Sequence, residues 1–295
     1  MIYIVIGPTA CGKTSAAIAL ADYFHAPIIN ADAFQIYKDM NIGTNKLSSS
    51  DPNYKKHYLI GIINPDQDYS VKQYQDDFRK VFLKLAKENK NVIICGGTGL
   101  YIRAALLDYE FSDENIEQID YSNYSNEELY SKLIELDKDA AEKIHVNNRK
   151  RVERALTLIS KTGMKKSDIE NAQSHTYFYK EFEYTFLFIN PDRELLYEKI
   201  NSRVDEMFDN GLVDEVKMLL NRYKLSQTAK QAIGYKEVID YLDGLITIEE
   251  AKEIIKQRTR NYAKRQVTFF KNQFKSKVFA SNLALIDEVT QNGKW

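Results

Sequence analysis

Hydrophobic positions along this chain alternate between two patterns. Short continuous apolar runs occur at Tyr3-Ile4-Val5-Ile6, Pro27-Ile28-Ile29-Asn30, Val92-Ile93-Ile94-Cys95 and Tyr184-Thr185-Phe186-Leu187-Phe188-Ile189. Runs this short, without polar alternation, read as strands buried on both faces. Between them, apolar residues recur at helical spacing. Lys13–Phe24 has helical composition, and residues 71–89 carry Val71, Tyr74, Phe78, Val81, Phe82 and Leu85 on one stripe. Buried strands alternating with helices predict an α/β fold, a parallel sheet flanked by helices.

The alternation lapses after Leu107. From Asp108 to Glu142, twelve acidic residues stand against two lysines, and no strand pattern returns before Tyr184. Glu127–Leu136, Lys138–Ile144 and Lys150–Lys161 read as helices. Residues 112–180 are therefore expected to form a small helical insertion domain. The α/β core is then residues 1–111 and 181–295, with C-terminal helices at about 193–222, 229–241 and 248–273.

Composition narrows the class. The 295 residues are 44% apolar and 28% charged, which excludes a largely disordered chain. The 41 basic and 42 acidic side chains nearly cancel, so polyanion binding through bulk charge is excluded while local patches stay open. Two cysteines, in no CxxC or Cys/His cluster, make neither a disulfide framework nor a zinc site. They are expected to be reduced thiols in a cytoplasmic protein. The leading apolar run is too short for a signal peptide, and no stretch approaches a bilayer-spanning length.

Candidate chemistry begins at Gly7-Pro8-Thr9-Ala10-Cys11-Gly12-Lys13-Thr14, which fits G-x-x-x-x-G-K-[ST] between a strand and a helix. Glycines let backbone N–H groups turn toward an anion, and the helix start adds its positive end. Lys13 can reach terminal phosphate oxygens, and the Thr14 hydroxyl can ligate Mg²⁺. The motif therefore specifies a di- or triphosphate with Mg²⁺ as cofactor, without saying kinase. Asp32 follows the second strand, as a candidate acid or a turn residue. Gly96-Gly97-Thr98-Gly99 ends the third, as a ligand turn or a plain helix start.

Residues 251–278 hold nine basic side chains against one acid, Glu253. At about 100° per residue, Lys252, Lys256, Arg260, Lys264 and Lys271 share an arc of roughly 120°. Such a stripe is a fair footprint for an RNA backbone; its plainer reading is a solvated face. Arg149, Lys150, Arg151 and Arg154 make a second cluster. These features leave three classes open: a small-molecule phosphotransferase, an RNA-binding module and an enzyme acting on RNA.

The chain resembles the bacterial-type tRNA dimethylallyltransferases, also called tRNA isopentenyltransferases. Besides the phosphate loop, the resemblance rests on Asp32-Ala33-Phe34-Gln35-Ile36-Tyr37, Ile42-Gly43-Thr44 with Lys46, and His57. It continues through Gly96-Gly97-Thr98-Gly99-Leu100-Tyr101, Ile144-His145, Arg151-Val152 and Arg154-Ala155-Leu156. Arg203-Val204-Asp205, Ile233-Gly234-Tyr235-Lys236-Glu237 and Lys264-Arg265-Gln266 complete it. Leu47 and Phe269 stand where the family usually has Pro and Trp, and residues 112–126 carry none of its pattern.

The resemblance implies a phosphate-loop NTPase-like core and transfer of a five-carbon group from dimethylallyl diphosphate. The acceptor would be the exocyclic amine of the adenosine 3′ of the anticodon, in tRNAs reading codons that begin with U. Related enzymes that prenylate free adenine nucleotides are the alternative. It implies Asp32, Thr98 and Arg203 as catalytic residues and Gly7 through Thr14 around the diphosphate. It also implies tRNA contacts at Asp32, Ala33, Phe34, Gln35, Thr98, Lys150, Arg151, Arg154, Gln231, Gly234, Tyr235, Lys236, Lys264, Arg265, Gln266 and Lys271. Phe34, Tyr37 and Tyr101 are candidates to pack on the base or the prenyl chain, or else core residues. The expected partners are the tRNA anticodon stem-loop, gripped by core and insert, and dimethylallyl diphosphate. A monomer without membrane contact is expected.

Overall fold

Five consecutive buried residues make Ile2–Ile6 (β1) a central strand, and Lys13–Phe24 (α1) follows its loop. Ala16, Ala17 and Ala21 on the buried side of α1 let the helix lie close to the sheet. Next come Ile28–Asn30 (β2), His57–Tyr58 (β3), Val71–Glu88 (α2), Val92–Gly96 (β4) and Gly99–Leu106 (α3). Asn126–Leu136 (α4), Lys138–Lys143 (α5), Arg149–Thr162 (α6) and Lys166–Ala172 (α7) precede Tyr184–Ile189 (β5). The chain continues through Arg193–Asp209 (α8), Leu212–Arg222 (α9), Gln227–Lys230 (α10) and Tyr235–Leu242 (α11). It closes with Ile248–Gln273 (α12), Lys277–Phe279 (β6) and Asn282–Asn292 (α13). This computed structural model describes residues 1–108, 111, 119–172 and 176–292. The expected domain boundary at 111–112 abuts residues 112–118, which lie outside the described residues and make up the first seven positions of the pattern-free stretch 112–126.

The strands form one parallel sheet in the order β3-β2-β4-β1-β5-β6. Ile4 of β1 pairs with Ile94 of β4 and Phe186 of β5, so the strongest apolar runs occupy the centre. This is the α/β arrangement expected from the alternation. The two edge strands were not expected. They are two and three residues long and partly exposed, which leaves no continuous apolar run to read.

Two expected helices are each divided. The span 193–222 breaks into α8 and α9 at Gly211, whose φ of +92° suits glycine and ends helical propagation. The span 229–241 breaks into α10 and α11 around Gly234, at φ +97°.

The chain forms two compact units: Met1–Ala105 with Tyr179–Trp295, and Leu106–Phe178. Leu129, Leu133, Ala140, Ala141, Ile144, Val152, Ala155 and Leu156 make the core of the second unit. There Asp137 accepts from the amides of Ala140 (3.0 Å) and Ser167 (2.8 Å), fixing α5 and α7. Among the described residues no helix is long and apolar enough to cross a membrane.

Candidate functional site

β1, β4 and β2 are neighbours, with Ile6 opposite Gly96 and Asn30 opposite Cys95. Their carboxyl ends stand at one level, so the three following loops share a crevice, the usual ligand position in such a sheet. The crevice encloses about 420 Å³ and is lined by Lys13, Thr14, Asn30, Asp32, Gln35, Lys199, Arg203 and Tyr262, among others.

The loop after β1 has the conformation its motif requires. Gly12 caps α1 at φ +88° and offers no side chain, so no cap occupies the first-turn N–H groups of α1. The Lys13 ammonium donates to Pro8 O at 2.7 Å, which folds the side chain along the loop. Cys11 and Cys95 are buried, and burial pushes the Cys95 thiol up to about 12 and raises that of Cys11. Both stay protonated, so neither is a thiolate ligand or nucleophile.

Arg203, from α8, brings a second cation to this loop. Its guanidinium donates to the Thr9 hydroxyl at 3.0 Å, and its Nε is buried without a partner. Burial lowers the guanidinium pKa, while Asp32 and Glu206 favour the charge. An arginine cannot shed its proton at ordinary pH, so an unpaired buried N–H calls for an acceptor such as a phosphate oxygen. Lys199, one helical turn before Arg203, also lines the crevice. It was not singled out in the sequence, although the i, i+4 spacing to Arg203 was readable.

The acid is equally well held. Asn30 is 4% exposed. It donates to Asp32 O (3.2 Å) and Leu59 O (2.9 Å), and accepts from the Asp32 amide (3.3 Å). Asp32 Oδ1 accepts from the Phe34 amide at 3.0 Å. The Thr98 hydroxyl accepts from the Ala33 amide at 3.0 Å. Thr98 thus braces the Asp32 segment. His57 also lines the crevice; burial lowers its pKa, and Nδ1 meets Asn53 O at 2.9 Å. The neutral ring donates there and keeps Nε2 as an acceptor.

Other expected contact residues lie in the following surroundings. Gln266 is 5% exposed; its Oε1 accepts from the Thr9 amide (2.8 Å) and its Nε2 donates to Gly97 O (2.9 Å). It ties the phosphate loop to the turn after β4. Tyr235 is fully buried and donates to Glu215 at 2.6 Å, which removes its side chain from any RNA surface. Gly234 is buried, and its amide donates to Glu237 at 2.7 Å. Tyr37 and Tyr101 are buried in the core, with Tyr101 stacked on Tyr74 at 4.0 Å. Phe34 and Lys236 are half-buried and Gln231 is exposed.

The basic stripe on α12 divides. Lys256 is ion-paired to Asp205 (2.9 Å) and Glu253 (3.1 Å), and only 15% of its side chain is exposed. Arg260 donates to Asn201 at 2.6 Å, and the Lys252 ammonium lies 5.2 Å from the Phe208 ring. That half of the stripe faces α8, because one helix face cannot serve both a neighbour and solvent. Lys264, Arg265 and Lys271 are exposed. In the second unit, Arg149 bonds to Glu153, Tyr124 O and Tyr121 O, and Lys150, Arg151 and Arg154 are exposed on α6.

Comparison with known proteins places this geometry among relatives. The IPP transferase family model matches residues 35–273. A tRNA dimethylallyltransferase of Bacillus cereus is 41% identical over 278 residues, covering 92% of this chain and 86% of that protein. One from Clostridioides difficile is 43% identical over 284 residues, covering 94% and 90%. A solved tRNA delta(2)-isopentenylpyrophosphate transferase from Staphylococcus epidermidis superposes with a TM-score of 0.69 at 34% identity, covering 99% of this chain and 98% of that one. A eukaryotic dimethylallyltransferase acting on tRNA superposes with a TM-score of 0.79 at 28% identity, covering 99% and 77%.

Proposed function

The chain belongs to the IPP transferase family, and from that premise we propose that it moves the dimethylallyl group of dimethylallyl diphosphate onto tRNA. The acceptor is the exocyclic amine of the adenosine immediately 3′ of the anticodon, in tRNAs reading codons that begin with U. The carbon–oxygen bond to diphosphate breaks, a carbon–nitrogen bond forms, and the amine gives up one proton.

The observation that carries this reading is the meeting of an anion cradle, three cations and one positioned carboxylate in a single crevice. Lys13, Lys199, Arg203 and the first-turn amides of α1 receive the leaving diphosphate. Arg203 adds a planar, bidentate grip. Asp32 accepts the amine proton, and its held geometry keeps it from rotating away. The Thr14 hydroxyl and the phosphate oxygens make an all-oxygen donor set that fits Mg²⁺, which when bound supplies further neutralisation of the leaving group. Among the described residues there is no His, Cys, Asp and Glu cluster of three or more, so the protein's share of that set is small.

The base must leave its stack to reach the crevice, which costs a few kcal/mol and least in a loop. Lys264, Arg265 and Lys271, with Lys150, Arg151 and Arg154, offer phosphate contacts for an anticodon stem-loop. The test is Lys13→Ala, assayed with labelled dimethylallyl diphosphate and separately for tRNA affinity. Transfer is expected to collapse while tRNA affinity persists; undiminished transfer would remove the phosphate loop from the reaction.

A further inference from the structure

Two sequence motifs that the phosphate chemistry leaves unused meet in the fold. Ile42-Gly43-Thr44 lies in the loop after β2, and Gly234-Tyr235 opens α11. Between them stands Glu215 of α9, a buried carboxylate. Its oxygens accept from the amides of Asn41 (3.0 Å), Ile42 (2.9 Å) and Gly43 (3.4 Å), and from the Tyr235 hydroxyl (2.6 Å). Successive backbone N–H groups of this kind form an anion nest. Here the anion is a side chain more than 170 positions away in the chain. The Tyr235 ring closes on the same point: a Cβ added to Gly43 would lie 2.5 Å from the ring.

The strap so held, residues 41–47, is a wall of the crevice. Thr44, Asn45 and Leu47 line it together with Lys13 and Asp32. Gln35 Nε2 donates to Thr44 O (3.1 Å) and Asn45 O (3.3 Å), which ties the strap to the segment carrying Asp32. The Thr44 hydroxyl donates to Met40 O (2.7 Å), and the Lys46 ammonium donates to Tyr37 O. Hydrogen bonds through Gln35 therefore join the strap to the segment that carries Asp32.

We propose that Glu215, acting with Tyr235, is a positioning residue for prenyl transfer: it anchors the strap that fixes Gln35 and Asp32 against the acceptor base. The proposal rests on the function argued above. Neither residue lines the crevice, so each acts through the strap, whose hydrogen bonds run to Gln35 in the Asp32 segment.

Glu215→Gln tests this. It keeps the volume but turns an amide NH₂ toward amides that need an acceptor. Hydrogen exchange at Asn41, Ile42 and Gly43 is expected to accelerate, with the phosphate-loop amides unchanged. The single-turnover rate of transfer to tRNA should fall roughly ten- to a hundred-fold, as misplaced reacting groups do. Affinity for dimethylallyl diphosphate should hold. Tyr235→Phe removes one donor and keeps the ring, so it should shift the same readouts less. Faster exchange at 41–43 with an unchanged transfer rate would overturn the proposal, as would parallel losses of diphosphate affinity and rate. If Glu215→Gln does not fold, an unchanged rate in Tyr235→Phe overturns it. A wild-type protein that transfers nothing to tRNA would instead defeat the proposed function, with the exchange measurement still informative about the strap.

Discussion

One carboxylate oxygen of Asp32 is engaged by the Phe34 amide, which assigns the other to the proposed contact with the amine. Asp32→Asn retains an acceptor for that amide but loses the negative charge and the ability to take a proton. The single-turnover rate should fall by about a hundred-fold or more, within the range of a positioned acid–base group, while dimethylallyl diphosphate affinity stays put. An unchanged rate would reduce Asp32 to a structural role. At this scale the sequence was legible where a motif names atoms. Lys13 and Thr14 sit in a strand-loop-helix context that admits few other uses, and Arg203 lay beside the apolar stripe of Ile200, Val204 and Met207. It was illegible where one polar residue closes a network from afar. Gln266 bonds to Thr9 and Gly97 across 257 and 169 positions, and Glu215 reaches Asn41 across 174. Nothing local distinguishes such side chains from solvated ones.

Helix α12 shows what periodicity resolves and what it leaves out. Its start was readable because Thr247 and Glu250 form a capping box, and the expected span 248–273 coincides with the helix. The stripe of basic positions was readable too. Which part of that stripe a neighbouring helix would claim was not, since Asp205 and Asn201 of α8 face Lys256 and Arg260 only after folding. The proposed RNA footprint is therefore assigned to the exposed part. Replacing Lys264, Arg265 and Lys271 with Ala should lower the logarithmic salt slope of tRNA binding by roughly two to three units if all three meet phosphate. Lys256→Ala should leave the slope alone and lower the melting temperature. Equal slopes in wild type and the triple variant, with matching circular dichroism, would move the RNA grip elsewhere. Lys150, Arg151 and Arg154 on α6 are the next place to measure.

At the scale of the whole molecule, three parallel strands deliver three loops to one level, and Leu106–Phe178 forms a separate helical unit with its own core. The central strands were legible because they are buried on both faces; the edges β3 and β6 were not, being short and half wet. In the proposed function that architecture supplies a cradle for a leaving diphosphate, a carboxylate for the acceptor amine and exposed cations for a polyanion. The central claim is that these serve one transfer, from dimethylallyl diphosphate to tRNA. The most direct measurement offers labelled dimethylallyl diphosphate to the protein with three acceptors in turn. These are a tRNA carrying adenosine 3′ of the anticodon, the same tRNA with guanosine there, and AMP. Label should appear in the first alone. Label in AMP, or equal label in the guanosine tRNA, would contradict the account.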